Sequence, residues 1–460
     1  MSSNGDGLQA SVEKMRREGV GEAAVDAFAA AYERLRDGET GVLAEDELEP
    51  VGDVPELADL EEDAPPEVLD RAVVLKLNGG LGTSMGMTKA KSLLEVKDGL
   101  SFLDIIARQV LHARRETGAR LPLVLMNSFS TREDSLAALE RHEGIESDVP
   151  LDFVQNKVPK LLADDLTPAE WPDDPDLEWA PPGHGDLYTA LVTSGMLDTL
   201  RERGYRYAFV SNADNLGAVL EPRVLAWVAR EEIPFLMEVA DRTEADRKGG
   251  HIARRRGGGL VLRETAQTRD EDADAFQDVE RHRFFNTNTL WVDLDALHAT
   301  LERDGVLGLP MIVNRKTVDP GDKESPAVIQ LETAMGAAID VFEGARALRV
   351  PRTRFAPVKT TNDLLGLRSD AYVLTEDSHV ELAEGRDQAP LVDLDSDFFK
   401  LVADFDERFA AGPPSLVACD RITVEGDVEF GADVVVRGTV TVRQEGDGRT
   451  RVDDGTVLEG

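Results

Sequence analysis

Continuous apolar runs alternate with segments of helical spacing through most of the chain after residue 70. The apolar runs are residues 72–75, 121–126, 149–155, 207–211 and 234–240. Runs of this kind are typical of strands that are buried on both faces. Apolar residues recur at helical spacing in residues 102–110, 132–141, 188–203 and 222–231, and Ser101 can cap the first of these helices. This alternation predicts a mainly parallel sheet with helices on both faces.

The pattern also divides the chain into four segments. Residues 1–70 hold one strong helical stretch, 12–35, followed by an acidic, proline-dotted connector, and we expect them to be peripheral. Residues 71–365 carry the strand–helix alternation, 366–415 form a helical connector, and 416–460 form a separate tail. Within the second segment, the pattern predicts a hairpin around Gly257–Gly259, a helix over 329–342 and a strand followed by a turn over 350–361. It also predicts a strand over 284–292 that is interrupted by Asn286-Thr287-Asn288.

The tail repeats with a period of six residues. One apolar row consists of Ile422, Val428, Val434 and Val440, and a second of Val424, Phe430, Val436 and Val442. Two rows with this period predict the coils of a parallel β-helix, although a meander of short strands could produce the same spacing. So short a β-helix buries little surface alone, and copies of the chain could assemble into a homo-oligomer through it.

Charge and cysteine content narrow the function. The 460 residues include 89 acidic and 51 basic side chains, which gives a net charge of −38 and argues against nucleic acid and anionic membranes as partners. The single cysteine, Cys419, excludes an internal disulfide framework and a cysteine-based zinc site. Without a visible leader or a spanning segment, the expected location is cytoplasmic.

A glycine-rich stretch directly follows the first strand of the alternation. It reads Leu77-Asn78-Gly79-Gly80-Leu81-Gly82-Thr83-Ser84-Met85-Gly86, with Lys89 and Lys91 just beyond. Glycines let a ligand approach the main chain, and the N–H groups of such a loop can cradle a phosphate. The spacing matches neither the ATPase loop nor the dinucleotide fingerprint, which disfavours a dehydrogenase. The alternative is an ordinary mobile turn.

Three further motifs could complete a phosphate site at the carboxyl ends of the strands. Asp214 lies in Ser211-Asn212-Ala213-Asp214-Asn215, where a carboxylate could hold Mg²⁺; the alternative is an Asn/Asp turn, and the phosphate loop in the same sheet favours the metal. His184 lies in a Pro/Gly loop that could contact a ligand. Lys359 follows a predicted strand and could neutralise a phosphoryl group, although a solvated surface lysine is the default.

Two short motifs offer polar groups suited to sugar hydroxyls. They are Lys248-Gly249-Gly250 and Phe285-Asn286-Thr287-Asn288, and turn chemistry is the alternative for both. The seven histidines form no metal-binding pair, and no catalytic triad is recognisable. The expected chemistry is therefore positioning and charge neutralisation around phosphates, without a protein nucleophile.

Taken together, these motifs resemble those of the UTP–glucose-1-phosphate uridylyltransferase family. The resemblance also includes Phe235-Leu236-Met237-Glu238-Val239, Gln330-Leu331-Glu332-Thr333-Ala334 and Pro357-Val358-Lys359-Thr360-Thr361, all in order. It implies an α/β fold with a Rossmann-like, glycosyltransferase-A nucleotidyltransferase core and a C-terminal left-handed parallel β-helix. It also implies that UTP and glucose 1-phosphate react, with Mg²⁺ as cofactor, to give UDP-glucose and pyrophosphate.

The resemblance implies a role for each matching position. Leu77, Asn78, Gly79 and Gly80 would contact the nucleotide, Gln155 and Gly183 the uracil, and Asn212 the ribose. Asp214 would bind Mg²⁺ and the nucleotide. His184, Gly250, Asn286 and Asn288 would contact the sugar phosphate. Lys91 and Lys359 would be catalytic and would bind the nucleotide phosphates. One departure concerns residues 88–91, where Thr-Lys-Ala-Lys replaces the Lys-Gly-Pro-Lys of eukaryotic members.

Two other functions stay open at this stage. The first is a pyrophosphorylase for another sugar, such as galactose 1-phosphate or N-acetylglucosamine 1-phosphate, since the sequence does not size the sugar pocket. The second is a non-catalytic nucleotide-sugar sensor or assembly protein built on the tail. The presence of Lys91, Asp214 and Lys359 together disfavours the sensor, because a sensor needs neither a metal ion nor a second lysine.

Overall fold

A computed structural model describes residues 6–61 and 63–460. The helices are α1 (Asp6–Arg17), α2 (Glu22–Arg36), α3 (Pro66–Leu69), α4 (Phe102–Thr117), α5 (Arg132–Leu139), α6 (Asp186–Thr193), α7 (Met196–Glu202), α8 (Pro222–Arg230), α9 (Ala273–Gln277), α10 (Leu294–Asp304), α11 (Thr361–Arg368), α12 (Ser396–Phe399) and α13 (Val402–Arg408). None of the helices in these residues is long and apolar enough to span a membrane.

The strands follow the predicted order through the first half of the chain. They are β1 (Leu48–Pro50), β2 (Ala72–Asn78), β3 (Glu95–Lys97), β4 (Leu100–Ser101), β5 (Leu123–Asn127), β6 (Asp152–Val154), β7 (Val158–Pro159), β8 (Leu161–Leu162), β9 (Trp179–Ala180), β10 (Tyr207–Asn212), β11 (Phe235–Asp241), β12 (His251–Arg255) and β13 (Leu260–Arg263). The second half contains β14 (Phe284–Asp293), β15 (Met311–Thr317), β16 (Ala327–Thr333), β17 (Arg346–Arg349), β18 (Tyr372–Leu374), β19 (Val380–Leu382), β20 (Leu391–Leu394), β21 (Ser415–Glu425), β22 (Val428–Phe430), β23 (Val435–Arg443), β24 (Thr450–Val452) and β25 (Val457–Glu459).

The central sheet has the order β1-β12-β14-β10-β2-β5-β6, with β11 and β17 extending it from β14. Strands β10, β2, β5 and β6 are parallel, as predicted, but β14 is antiparallel to both β10 and β11. The sheet is therefore mixed, with a parallel centre. Its middle strand β2 buries side chains on both faces: Ala72 and Val74 join one core, and Val73 and Leu75 join the other.

The register brings the ends of the parallel strands to one edge of the sheet. Leu77 lies beside Asn212, Asn78 beside Asn127, and Asn127 beside Val154. The segments that leave β2, β5, β6 and β10 therefore emerge together, where ligands gather in open α/β sheets. This edge carries the glycine loop, defined as residues 79–86, and the aspartate loop, residues 213–221.

The predicted helices over 12–35 and 188–203 are each divided into two, α1 with α2 and α6 with α7. Two further predicted elements are wrong. Residues 329–342 are not a helix: they form the end of β16 and a short 3₁₀ helix, Met335–Asp340. Strand β16 pairs with both β15 and β8, so that ladder hydrogen bonds outweigh the helical spacing of its apolar residues. Residues 350–361, predicted as a strand followed by a turn, contain no strand: the nearest one, β17, ends at Arg349, and Pro351 cannot donate to a ladder.

The tail forms parallel sheets, and its two apolar rows are buried as predicted except for Val442, which is half-buried. Strands β20, β21, β23 and β25 form one parallel sheet, and β22 pairs in parallel with β24. Ile422 lies beside Val440 in this register, so that three six-residue units separate stacked positions. The left-handed coiling and the assembly of copies through the tail stay predictions.

The four-segment division also stays a prediction, although the structure shows what each outer segment contacts. Strand β1, in the first segment, pairs with β12 and so extends the central sheet. The segment 366–415, predicted as a helical connector, contains the β18–β19 hairpin and β20 as well as the short helices α12 and α13. The tail residues share a continuous core with helix α4 and strand β2.

Helix α4 begins with the capping residue that the sequence predicted. The Ser101 hydroxyl accepts the Asp104 N–H at 3.1 Å, and the Asp104 carboxylate accepts the Ser101 N–H at 3.0 Å. We expect Ser101→Ala to lower the free energy of unfolding by about 0.5–2 kcal/mol, because a helix donor loses its partner. Urea denaturation measures this change.

The matched control is Ser130→Ala, at an exposed serine that precedes helix α5. A change within about 0.5 kcal/mol is expected for such a surface position. Equal losses from the two variants would show that the Ser101 cap contributes nothing specific.

Candidate active site

The glycine loop starts from a side chain that is fixed inside the protein. Asn78 is 3% exposed, and its Nδ2 donates to Oδ1 of Asn127 at 2.7 Å and to Oγ of Ser135 at 2.8 Å. These bonds join β2, β5 and α5. Asn78 therefore offers a nucleotide its main chain rather than its side-chain amide.

Beyond Asn78 the loop passes close to Gln155 and then faces open space. A Cβ added at Gly79 would lie 2.5 Å from Oε1 of Gln155, so only glycine permits this approach. A Cβ added at Gly80 would meet nothing within 4 Å, and the Gly80 carbonyl accepts the N–H of Lys91 at 3.1 Å. Gln155, the predicted base-binding residue, thus lies against the loop, and Lys91, the predicted phosphate-binding residue, is hydrogen-bonded to it.

Lys91 and Asp214 form an ion pair across the strand edge. The distance between Nζ of Lys91 and Oδ2 of Asp214 is 2.6 Å, and both side chains are about one-fifth exposed, at 20% and 22%. Because solvent reaches both groups, the pair contributes on the order of 1 kcal/mol or less. A hydrogen bond from Lys91 to a charged phosphate, worth roughly 1.5–3 kcal/mol, can replace it. The predicted phosphate ligand and metal ligand are therefore neighbours that can be separated.

A cleft of about 400 Å³ opens beside Asp214. It is lined by Asn212, Asp214, Asn215, Asp246, Lys248, Gly249, Gly250, Glu264, Phe285, Asn286, Thr287, Asn288, Phe355, Pro357 and Lys359. The structure thus brings together the predicted residues Asn212, Asp214, Gly250, Asn286, Asn288 and Lys359 from four separate parts of the chain. The other predicted residues lie outside this lining, around Gln155 and the glycine loop.

The asparagine motif enters the cleft through a bulge in β14. The register between β11 and β14 shifts at Glu238, and Asn288 has a φ of +56°, which asparagine tolerates better than most residues. Nδ2 of Asn286 donates to Oδ1 of Asn288 at 2.8 Å, and the Asn288 N–H returns to Oδ1 of Asn286 at 2.9 Å. The sequence predicted an interrupted strand here, and the interruption is this bulge.

Lys359 ends a segment that we call the lysine loop, residues 350–360. Its side chain is exposed, and Nζ lies 5.6 Å from the centre of the Phe355 ring. The N–H groups of Lys359 and Thr360 both donate to Oδ2 of Asp363 at 2.8 Å, which caps helix α11. The backbone of Lys359 is therefore fixed, whereas its ammonium group is free to meet a ligand.

His184 is neutral at physiological pH. Its Nδ1 accepts the Met335 N–H at 2.9 Å, so that the neutral ring carries its proton on Nε2. The ring is open to solvent on one side, yet protein surrounds it elsewhere, and this desolvation lowers the pKa of His184 to about 4. His184 can therefore donate one hydrogen bond to a ligand but adds no positive charge.

The loop around Gly183 is fastened to the strand end that carries Gln155. Gly183 has a φ of +79°, and a Cβ there would lie 2.4 Å from the Thr333 carbonyl oxygen. Asp186 is 4% exposed and accepts the Asn156 N–H at 2.6 Å and Nδ2 at 2.9 Å. Burial raises the pKa of Asp186 to about 7. These bonds hold Gln155 and Gly183, the predicted uracil ligands, on neighbouring segments.

Glu264 also lines the cleft, although no sequence motif indicated it. A Cβ added at Gly250 would lie 2.4 Å from Oε2 of Glu264, so the glycine lets the carboxyl group lie close to the main chain. Burial raises the pKa of the Glu264 carboxyl group. Glu264 directly follows β13, and only the pairing of β13 with β12 brings it to Gly250, so no short motif could have revealed it.

Comparison with known proteins gives one consistent result. A model of the UTP–glucose-1-phosphate uridylyltransferase family matches residues 25–437. The UTP–glucose-1-phosphate uridylyltransferase of Solanum tuberosum is 42% identical over 408 residues, which are 87% of this chain and 83% of that protein. A probable UTP–glucose-1-phosphate uridylyltransferase of Schizosaccharomyces pombe is 40% identical over 396 residues, 85% of this chain and 77% of that protein.

Solved structures extend the likeness over the whole chain. A mutant UDP-glucose pyrophosphorylase from Leishmania major, in complex with UDP-glucose, superposes with a TM-score of 0.93 at 47% identity and covers 100% of this chain and 99% of its own. A UDP-glucose phosphorylase from Trypanosoma brucei gives a TM-score of 0.89 at 46% identity, with coverage of 99% and 98%.

Proposed function

The chain belongs to the UTP–glucose-1-phosphate uridylyltransferase family of nucleotidyltransferases, as its motifs predicted, and we propose that it makes UDP-glucose and pyrophosphate from UTP and glucose 1-phosphate. The observation that carries this proposal is the meeting of two groups of residues at the Lys91–Asp214 ion pair. One group surrounds Gln155 and the glycine loop, and suits a nucleotide. The other lines the cleft that contains Lys359, and suits a sugar phosphate.

The proposed reaction is a single displacement at the α-phosphorus of UTP. A phosphate oxygen of glucose 1-phosphate forms the new P–O bond while the bond to the β-phosphate breaks, and its electron pair leaves with pyrophosphate. The attacking oxygen is already ionised at neutral pH, so no general base and no covalent enzyme intermediate are required. Holding the two substrates in line can supply roughly 7–11 kcal/mol of the barrier reduction at best.

Positive charge near the phosphates opposes their mutual repulsion. The chain as a whole carries a net charge of −38, so attraction of anions must be local. Lys359 and Lys248 line the cleft, and Lys91 contacts Asp214 beside it. We assign Lys91 to the nucleotide phosphates and Lys359 to the phosphoryl group in transfer, where a fixed charge lowers the energy of the transition state.

Mg²⁺ is the proposed cofactor, and Asp214 would hold it. Among the described residues, no cluster of three or more histidine, cysteine, aspartate or glutamate side chains could hold a metal ion. This fits Mg²⁺, which proteins bind through one or two carboxylates together with substrate phosphates. When bound, the ion would neutralise phosphate charge. Lys91 would then leave Asp214 and bind a phosphate.

The polar groups opposite Lys359 would bind the hexose. Asn286 and Asn288 present amide groups, and Gly250 leaves room beside the Glu264 carboxyl group. Carboxyl and amide groups accept and donate hydrogen bonds to sugar hydroxyls. The neutral Nε2–H of His184 would donate to the ligand from the nucleotide side.

The activity is tested by pyrophosphate release from UTP with a panel of sugar 1-phosphates. We expect the fastest release with glucose 1-phosphate and slower release with galactose 1-phosphate and N-acetylglucosamine 1-phosphate. Another preferred sugar would reassign the substrate. Silence across the panel, with nucleotide-sugar binding retained, would instead favour a sensor.

Lys359→Ala should lower kcat by about a hundredfold or more, because the lysine acts mainly on the transition state. The KM for UTP should change little, because Lys91 and the glycine loop remain. Steady-state kinetics separate the two parameters. The control is Lys323→Ala, at an exposed lysine outside the cleft lining, which should leave kcat and the KM for UTP unchanged. Equal changes in kcat and in UTP affinity would make Lys359 a binding residue only.

Asp214→Asn should raise the Mg²⁺ concentration needed for half-maximal rate, because an amide is a weaker ligand than a carboxylate. A magnesium titration at fixed substrate measures this shift. Asp246→Asn is the matched control, since Asp246 also lines the cleft but is paired with Arg352 at 2.7 Å. An unchanged titration in Asp214→Asn would remove Asp214 from the metal site.

A further inference from the structure

Three hydrogen bonds fasten the aspartate loop to the lysine loop. Nδ2 of Asn215 donates to the Arg354 carbonyl at 3.1 Å, and Oδ1 of Asn215 accepts the Ala356 N–H at 3.0 Å. The Val358 N–H donates to the Asp214 carbonyl at 3.3 Å. The side-chain amide of Asn215 thus both donates and accepts a hydrogen bond, and the residue is 2% exposed. The loops that carry Asp214 and Lys359 therefore form one joined unit.

A buried ion pair between Arg354 and Glu238 connects the joined unit to the central sheet. Nε and Nη2 of Arg354 donate to the Glu238 carboxylate, each at 2.8 Å, and Nη2 also donates to the Val219 carbonyl at 2.9 Å. Glu238 is fully buried and also accepts Nε1–H of Trp291 at 3.0 Å. Arg354 therefore ties its own loop to the aspartate loop, through Val219, and to the central sheet.

A buried lysine supports the other side of the aspartate loop. Nζ of Lys76 donates to Oγ of Ser211 at 2.6 Å and to the Ala218 carbonyl at 2.8 Å. Lys76 lies on β2, and Ser211 lies on β10 just before Asn212. The start and the end of the aspartate loop are therefore both fixed to the central sheet.

The two loops also approach each other too closely for any side chain at Gly217. A Cβ there would lie 2.3 Å from the Thr353 carbonyl oxygen and 2.9 Å from the Arg354 carbonyl carbon. Both partners are main-chain atoms, so they cannot move aside without moving the loop. The separation of the loops is therefore set by backbone contact as well as by the Asn215 amide.

We propose that Asn215 is a positioning residue that fixes the distance between Asp214 and Lys359 across the cleft. This inference rests on the proposed function, in which Asp214 would hold Mg²⁺ and Lys359 would act on the phosphoryl group in transfer. Asn215 needs no contact with substrate for this role, because its two hydrogen bonds hold the backbone next to each of the two groups. A displacement of about 1 Å at a reacting centre can cost a hundredfold in rate.

A double-mutant cycle with Lys359 tests this role. Asn215→Ala should lower kcat by about tenfold to a hundredfold while KM for UTP changes little. If Asn215 acts by placing Lys359, Asn215→Ala should change kcat by less than about twofold when residue 359 is already alanine. A twofold change is no larger than the deviation from additivity that is usual for independent mutations. Thermal unfolding of each variant separates this effect from lost stability.

The matched control is Asn362→Ala. Asn362 is a half-buried asparagine near Lys359, but its Oδ1 accepts the Leu394 N–H at 3.1 Å and so fastens α11 to β20. We expect this variant to retain wild-type kcat. Should Asn215→Ala fail to fold, Gly217→Ala carries the comparison, since it separates the same loops while keeping the Asn215 side chain.

The outcomes distinguish the inference from the function on which it rests. Equal losses from the Asn215 substitution in the presence and absence of Lys359 would overturn the positioning role, and so would a folded Asn215→Ala variant with wild-type kcat. An active wild-type chain with either result would leave the proposed reaction standing. A wild-type chain that is inactive with every sugar phosphate would overturn both.

Discussion

The ion pair between Lys91 and Asp214 is the contact on which the arrangement of the site depends. Lys91 is attached to the glycine loop through the Gly80 carbonyl, and Asp214 belongs to the loop after β10. The pair therefore joins the residues proposed to bind the nucleotide to those that line the cleft. Because each partner is partly exposed, the contact is weak enough to open. A phosphate can then replace Asp214 as the partner of Lys91, and a divalent ion can replace Lys91 as the partner of Asp214.

The sequence predicted the order of strands and the sheet edge at which the motif residues lie, because both follow from local pattern. The strand entering the glycine loop, the Ser101 cap and the buried rows of the tail all depend on neighbouring residues. Glu264 was missed and residues 329–342 were assigned wrongly for the opposite reason. Glu264 reaches the cleft only through the pairing of β13 with β12, and β16 exists because of β15 and β8.

The two kinds of basic residue have different positions in this acidic chain. Only 12 of the 51 basic residues are lysines, yet Lys91, Lys248 and Lys359 all lie at or beside the cleft. Arginines such as Arg354 and Arg255 instead form bidentate pairs with carboxylates. A planar guanidinium suits a fixed partner, whereas an ammonium group on a flexible stem can follow phosphates that move during a reaction. Breaking a buried pair such as Arg354–Glu238 costs roughly 3–5 kcal/mol, so this ion pair stays formed in the folded protein.

The buried amine of Lys76 makes the electrostatics behind the site depend on pH. Burial lowers the pKa of Lys76 to about 7, from an ordinary value of 10.5. With Lys76 neutral, the charges of Arg354 and Glu238 cancel, and below pH 7 one net positive charge remains beneath the sheet edge. Between pH 7 and 10.5 the unfolded chain holds a proton at this residue that the folded chain lacks, so the contribution of Lys76 to stability rises with pH across that window. The interior of this protein thus carries its own titration near neutrality, set by one amine that no solvent reaches.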